Sequence, residues 1–364
     1  MEVRITSLAP LAPLALLVLV GCTSAPKAED FRRTAAVLTA PGQAGTAIDA
    51  RPQFRQLYCQ VVHRDGASDD PQCESSLWRL SDEAPAAAAT PLPKPRTDLR
   101  VMIIPGALND CFGPDGLPYT QGVARLRSLG VRIDIVPVSG RSSSGHNARQ
   151  IADFFAASDI AHSEPIVMLG YSKGVPDIQE FLSGYPDYAR HVVGIIAVAG
   201  PVYGSPIANS TEWIYNSLGP SALDSRCNPG DNGMVHSLRT DVRTEWQQAH
   251  PLPSGVGYYF LGAFTTSEHL ARGLRPTWRK LAKTETRNDG QVRIGDEVQP
   301  GGVLLGYVNA DHWGAAIQIE KELDTIGHRD AGNDLPQAAL LEATWLYVGA
   351  ALPPERTPQG PTPP

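Results

Sequence analysis

The chain predicts an α/β fold, a mostly parallel sheet with helices on both faces. Three observations carry this. Runs of strand type that are apolar without alternation, at 166–169 and 192–199, read as strands buried on both faces. Strand-like and helical segments alternate from residue 98 onward, as in a sheet assembled by crossover connections. The run at 166–169 also drives straight into Gly170-Tyr171-Ser172-Lys173-Gly174, a G-x-S-x-G pattern in which a sharp turn lifts one serine clear of the sheet.

Taken in order, the chain opens with Arg4 and an apolar stretch at 11–20 that is short for a bilayer span and reads as a targeting segment. Residues 22–49, rich in Ala, Pro, Gly and Thr, read as a tether. Phe54, Leu57, Tyr58, Val61 and Val62 recur at helical spacing. A second short helix is expected at 73–80, giving a helical hairpin within 50–95 that ends in an Ala/Pro linker. The main domain is expected at 96–352. Within it, strands are expected at 99–104, 131–138, 166–169, 192–199, 257–264 and 303–308. Helices are expected at 123–128, 148–157 and, continuing a helix that starts at Ser172, 176–182. An insertion at about 200–256 holds Trp213, Ile214, Tyr215, Leu218 and Trp246, and serves either as a lid over an apolar pocket or as a helical packing element. The Pro-rich tail at 353–364 is expected to be disordered.

With 31 basic against 38 acidic residues and a net charge of −7, the chain lacks the basic face that nucleic-acid binding needs. Leu19-Val20-Gly21-Cys22 resembles the lipobox of bacterial lipoprotein signal peptides. That resemblance implies cleavage after residue 21, a lipid on Cys22 and a membrane anchor. Thr23 in place of Asp after the cysteine implies sorting to the outer membrane. The remaining four cysteines are an even count in an exported chain, and Cys59–Cys73 and Cys111–Cys227 are the preferred pairs. No C-x-x-C or histidine cluster accompanies them, so no metal is assigned.

A serine nucleophile needs a base, and the base needs an orienting acid. Downstream of Ser172 lie Asn288-Asp289-Gly290 and, after a further strand, Asn309-Ala310-Asp311-His312-Trp313. The chain order Ser172, Asp289, His312 is that of nucleophile, acid and base in the α/β-hydrolases. Asp296 and Glu297 compete for the acid, and His236, His250 and His269 for the base.

Asn-Asp-Gly-x-Val, followed by His312 23 residues after Asp289, resembles the acid and base loops of bacterial triacylglycerol lipases. Gly200-Pro201-Val202-Tyr203-Gly204-Ser205 resembles their Pro-His-x-Gly-Ser segment with Val202 in place of His. Pro105-Gly106-Ala107 stands where they carry the His-Gly-x oxyanion loop. The resemblance implies ester hydrolysis on an α/β-hydrolase fold, without a cofactor, with the Lys173 and Ala107 amides as oxyanion donors. The same triad also serves phospholipids, thioesters or polyesters, and a retired hydrolase fold serves as a binding protein. No carboxylate follows His312 closely, so the calcium site of those lipases is not carried over.

Overall fold

Seven strands pair into one all-parallel sheet in the computed structural model, which describes residues 25–65, 72–86, 91–111, 116–158, 165–210, 228, 230–317, 328–330 and 335–353. In chain order the strands are β1 (Ile48–Asp49), β2 (Arg100–Ile104), β3 (Arg132–Ile135), β4 (Ile166–Tyr171), β5 (Val192–Val198), β6 (Gly257–Phe264) and β7 (Val303–Asn309). Their order across the sheet is β1-β7-β6-β5-β4-β2-β3. Every residue of β4 is buried, as its unbroken apolar run requires.

The pleat sends alternate residues to opposite faces. Val101, Ile103, Val167, Leu169, Ile196 and Val198 join one core cluster, and Met102, Ile104, Met168, Ile195 and Ala197 join the other. The helices are α1 (Ala28–Arg32), α2 (Arg51–Asp65), α3 (Gln72–Ser76), α4 (Thr120–Ser128), α5 (Ser144–Ala157), α6 (Gly174–Gly184) and a short α7 (Pro186–Ala189), followed by later helices named below by their residues. Leu126 of α4, Phe54 and Tyr58 of α2, and Leu340 and Trp345 of the helix Gln337–Ala351 cover the first face. Ile151 of α5, Ile178 of α6 and Phe31 of α1 cover the second. No helix of the described residues is long and apolar enough to cross a membrane.

The chain leaves β2 outward to β3 and returns to β4 on the other side of β2. The strand order therefore reverses between β2 and β4. In open parallel sheets, ligands bind outside the carboxyl ends of the strands at such a reversal. Ser172 follows β4 and Pro105-Gly106-Ala107 follows β2, so both reach this crevice.

Three expectations are corrected. The helix after Ser172 starts at Gly174, with Lys173 as its N-cap. The second helix of the hairpin ends at Ser76, because Leu77 is taken into a bridge with Val308 of β7. The hairpin packs on the main body: Phe54, Tyr58 and Val61 lie in the same core as β2 and β4. The stretch expected as a tether is packed from α1 onward. Phe31 is 1% exposed and makes edge contacts with the rings of Trp78 and Phe264. Strand β1 pairs with β7 at the sheet edge.

The disulfide Cys59–Cys73 ties α2 to α3. Cys22 and Cys227 lie outside the described residues, as do Trp213, Ile214, Tyr215 and Leu218 of the insertion. Its remaining part is anchored to the body. The Asp231 carboxylate accepts from the Ser143 amide at 2.7 Å, and the Arg141 guanidinium donates to Asn232 Oδ1 at 2.8 Å. Trp246 lies under the Arg243 guanidinium at 4.5 Å and stacks on His250.

Candidate active site

The turn after β4 puts Ser172 at φ +52°, a left-handed conformation that non-glycine residues rarely hold. Two glycines make it feasible. A β-carbon on Gly174 would collide with the Ile104 carbonyl oxygen, and one on Gly170 would sit 2.9 Å from the Gly174 carbonyl carbon. Pairing of Tyr171 with Val198, and the Ser172 amide bonded to the Val198 carbonyl at 2.9 Å, fix the turn to the sheet. Strain held this firmly by its surroundings aims the Ser172 hydroxyl at the crevice.

His312 enters from the loop after β7. Its Nε2 lies 2.8 Å from Ser172 Oγ, and its Nδ1 lies 2.6 Å from Asp289 Oδ2. Beside a carboxylate, Nδ1 carries the proton, which leaves Nε2 as the acceptor for the serine hydroxyl. Asp289 is fully buried, with its second oxygen taking the Gln291 and Val292 amides at 2.8 and 2.7 Å. Those donors hold the carboxylate in one orientation, and Gly290 turns the chain at φ +97°. The His312 backbone N–H donates to the Asp289 carbonyl at 2.8 Å, so acid and base loops are bonded twice.

Polar contacts that no linear motif announces secure these loops. The Asp311 carboxylate takes the Gly314 and Ala271 amides, each at 2.7 Å, and the Arg329 guanidinium at 2.7 and 2.9 Å. Ser205, from the segment after β5, donates to the Gln291 carbonyl at 2.5 Å. Arg287 reaches back to the Ala35 carbonyl at 2.7 Å, so the N-terminal segment braces the acid loop.

The Ala107 and Lys173 amides donate to no other group among the described residues. Gly106 lets the β2 loop pass close to the nucleophile, since a β-carbon there would stand 3.1 Å from Ser172 Cβ. The side chain of Lys173 is turned away from solvent, with Nζ 2.7 and 2.8 Å from the two carboxylate oxygens of Asp177. Asn147 adds a bond to Asp177 at 2.7 Å. Burial pushes the Lys173 ammonium down and the Asp177 carboxyl up from their ordinary values, while their mutual attraction opposes both shifts.

The competing residues are placed elsewhere. Asp296 is paired with Arg293 at 2.7 Å. Glu297 accepts the Ala263 amide at 3.1 Å, and burial, with the Asp289 charge adding to it, holds its carboxyl well above the ordinary range. His250 bonds the Trp246 carbonyl, His236 is exposed, and His269 lies 3.9 Å from Glu268. Of these histidines and carboxylates, His312 and Asp289 are the pair bonded in line with Ser172.

No protein-family model matches the chain, and no curated protein sequence matches it. Among solved structures, the metagenomic carboxyl esterase MGS0156 is 32% identical, with a TM-score of 0.77 over 88% of this chain and 98% of that one. Fainter likenesses are to the mature lipase BlEst2 of Bacillus licheniformis and lipase 1 of Pelosinus fermentans. The first is 19% identical over 62% of this chain and 90% of that one, TM-score 0.46; the second 12% over 67% and 98%, TM-score 0.47. An all-parallel sheet with a serine at its topological reversal, and 32% identity to MGS0156 along nearly all of that esterase, place this chain in the α/β-hydrolase family of carboxyl esterases.

Proposed function

We propose that the protein hydrolyses carboxylic esters through an acyl-enzyme on Ser172, with His312 as general base and acid and Asp289 as its orienting partner. One observation supports this above the rest: the unbroken chain from Ser172 Oγ through His312 to Asp289, at 2.8 and 2.6 Å. As Oγ attacks the ester carbonyl carbon, its proton passes to His312 Nε2. Asp289 stabilises the resulting imidazolium without taking the proton. The Lys173 and Ala107 amides receive the oxyanion. Collapse of the tetrahedral intermediate expels the alcohol, which takes the proton from His312. Water, activated by the same imidazole, then releases the acid and restores Ser172.

The N-terminal resemblance supports an envelope location, with lipid on Cys22 and the body close to an outer-membrane leaflet. The first described helix begins at Ala28. The intervening residues span about 20 Å at most when extended. Cys22→Ser would then release the protein from membranes, and recovery of the variant in the membrane fraction would overturn the anchor.

The catalytic test uses soluble protein beginning after Cys22 and p-nitrophenyl esters of increasing chain length. Ser172→Ala and His312→Ala are each expected to lower kcat by about 10⁴- to 10⁶-fold. Retention of full activity by either variant would end the triad assignment. The chain-length profile separates a short-chain esterase from a lipase that prefers long acyl groups.

A further inference from the structure

The geometry points to Tyr171 as a positioning residue for the base: its hydroxyl donates to the backbone carbonyl of His312 at 2.6 Å and sets the imidazole against Ser172. This rests on the triad proposed above and adds a residue to it. Tyr171 is the immediate neighbour of the nucleophile at the end of β4, where pairing with Val198 fixes its backbone. Two bonds therefore run from adjacent elbow residues to the same histidine. Ser172 Oγ meets Nε2, and Tyr171 Oη meets the carbonyl. Together with the Tyr171–Ser172 peptide link they close a ring.

The ring matters because one hydrogen bond defines a distance and leaves the imidazole free to pivot about it. A second attachment removes that freedom. On the acid side His312 is likewise held twice, through Nδ1 and its backbone N–H, both to Asp289. The base is thus fixed at two points to each of its partners. The tyrosine ring also lies against the imidazole, with centroids 5.5 Å apart. Tyr171 is 4% exposed. Burial, with the Asp289 and Asp311 charges adding to it, holds its phenol well above the ordinary tyrosine value, so the hydroxyl stays a donor where the enzyme is assayed. Misplacement of a catalytic group by about 1 Å costs on the order of 10²-fold in rate, and the lost bond permits a fraction of that.

Tyr171→Phe keeps the ring and deletes only the donor. Tyr307→Phe is the matched comparison. Tyr307 is equally buried, and its hydroxyl bonds both the amide and the carbonyl of Val37, each at 3.0 Å. Activity is counted per folded molecule, with the folded fraction read from thermal or urea unfolding. Tyr171→Phe is expected to lower kcat about 10- to 100-fold, with KM within about twofold of the parent. It should also shift or broaden the downfield proton resonance of the His312 Nδ1–Asp289 bond. Tyr307→Phe is expected to lower the melting temperature while leaving kcat and that resonance in place. The proposal is overturned if Tyr171→Phe keeps kcat within about twofold, or loses activity only in proportion to folded protein as Tyr307→Phe does. It is overturned equally if Tyr171→Phe does not fold, since the hydroxyl would then serve the fold. Full activity in Ser172→Ala would instead reject the triad itself, an outcome distinct from all of these.

Discussion

On the Ser172 side of the crevice, backbone sterics set the geometry. On the His312 side, hydrogen bonds and buried ion pairs set it. The elbow is a few consecutive residues between a strand and a helix, and its shape follows from two missing β-carbons and one left-handed serine. The loops carrying Asp289 and His312 add long-range polar ties to the local turn at Gly290. They stand where they do because Asp311 meets Arg329, Ser205 meets Gln291 and Arg287 meets Ala35. Steric specification is unforgiving, even where, as at Gly174 against Ile104, the two groups come from different elements, a helix and a strand. Polar specification is assembled from distant parts of the chain and fails in graded steps.

The contrast can be broken from either side. The largest expected effect is on the polar side, where Asp289→Asn keeps the shape of the acid but removes the charge that fixes the imidazole tautomer. We expect kcat to fall about 10⁴-fold in steady-state assays with little change in melting temperature. A loss of only a few-fold would mean that Glu297 or Asp296 takes over. On the steric side, Gly174→Ala drives a methyl group into the Ile104 carbonyl. We expect a stability loss of about 4 kcal/mol or more, read by urea unfolding, as befits a clash with backbone.

Next comes the brace under the histidine loop. Arg329→Met leaves the fully buried Asp311 with its charge uncompensated. Loss of about 3 kcal/mol is expected, with an activity loss that follows the folded fraction. Unchanged stability would show that Asp311 is held by the Ala271 and Gly314 amides alone.

The smallest effect tests the pH dependence of polar ties far from the site. Glu342, on the helix Gln337–Ala351, accepts from Arg64 of α2 and Arg125 of α4, both at 2.8 Å. Burial opposes its charge, yet the two guanidiniums outweigh burial and hold the carboxyl below its ordinary value of 4.5. A lowered folded pKa means stability that is present above the unfolded value and lost as pH falls through the folded one. Glu342→Gln should therefore cost about 1 kcal/mol near neutrality. The difference between parent and variant melting temperatures should shrink below pH 4.5. A gap that widened on acidification would contradict the sign.

The same contrast explains what was legible along the chain. The elbow was readable because its cause is local: glycine at two positions and an unbroken apolar strand before it. Chain order and loop position bring Asp289 and His312 forward for the proposed acid and base, but leave Asp296 and Glu297, and His236, His250 and His269, in competition. No periodicity marks the helix Gln337–Ala351, because apolar residues cover most of its circumference and it shows no amphipathic stripe. Strand β1 is two residues long and carries no pattern. Composition predicts a tether at 22–49, because Ala, Pro, Gly and Thr usually fail to build a core. Phe31, Val37 and Ala40 pack on the body instead, because the sheet face and Trp78 offer an apolar surface for them.

From the amino-acid order alone came the class of fold, the run of strands 2 to 7, the serine in its turn, and a short set of candidates for its partners. These depend on periodicity, glycine spacing and chain order, all of which are written in the linear sequence. Three-dimensional packing alone decided which carboxylate faces the imidazole, and that Tyr171, Arg329 and Ser205 serve the site. It also decided that the N-terminal segment braces the acid loop. Each of those contacts joins residues far apart in the chain, and a hydrogen bond between them leaves no trace in either local pattern.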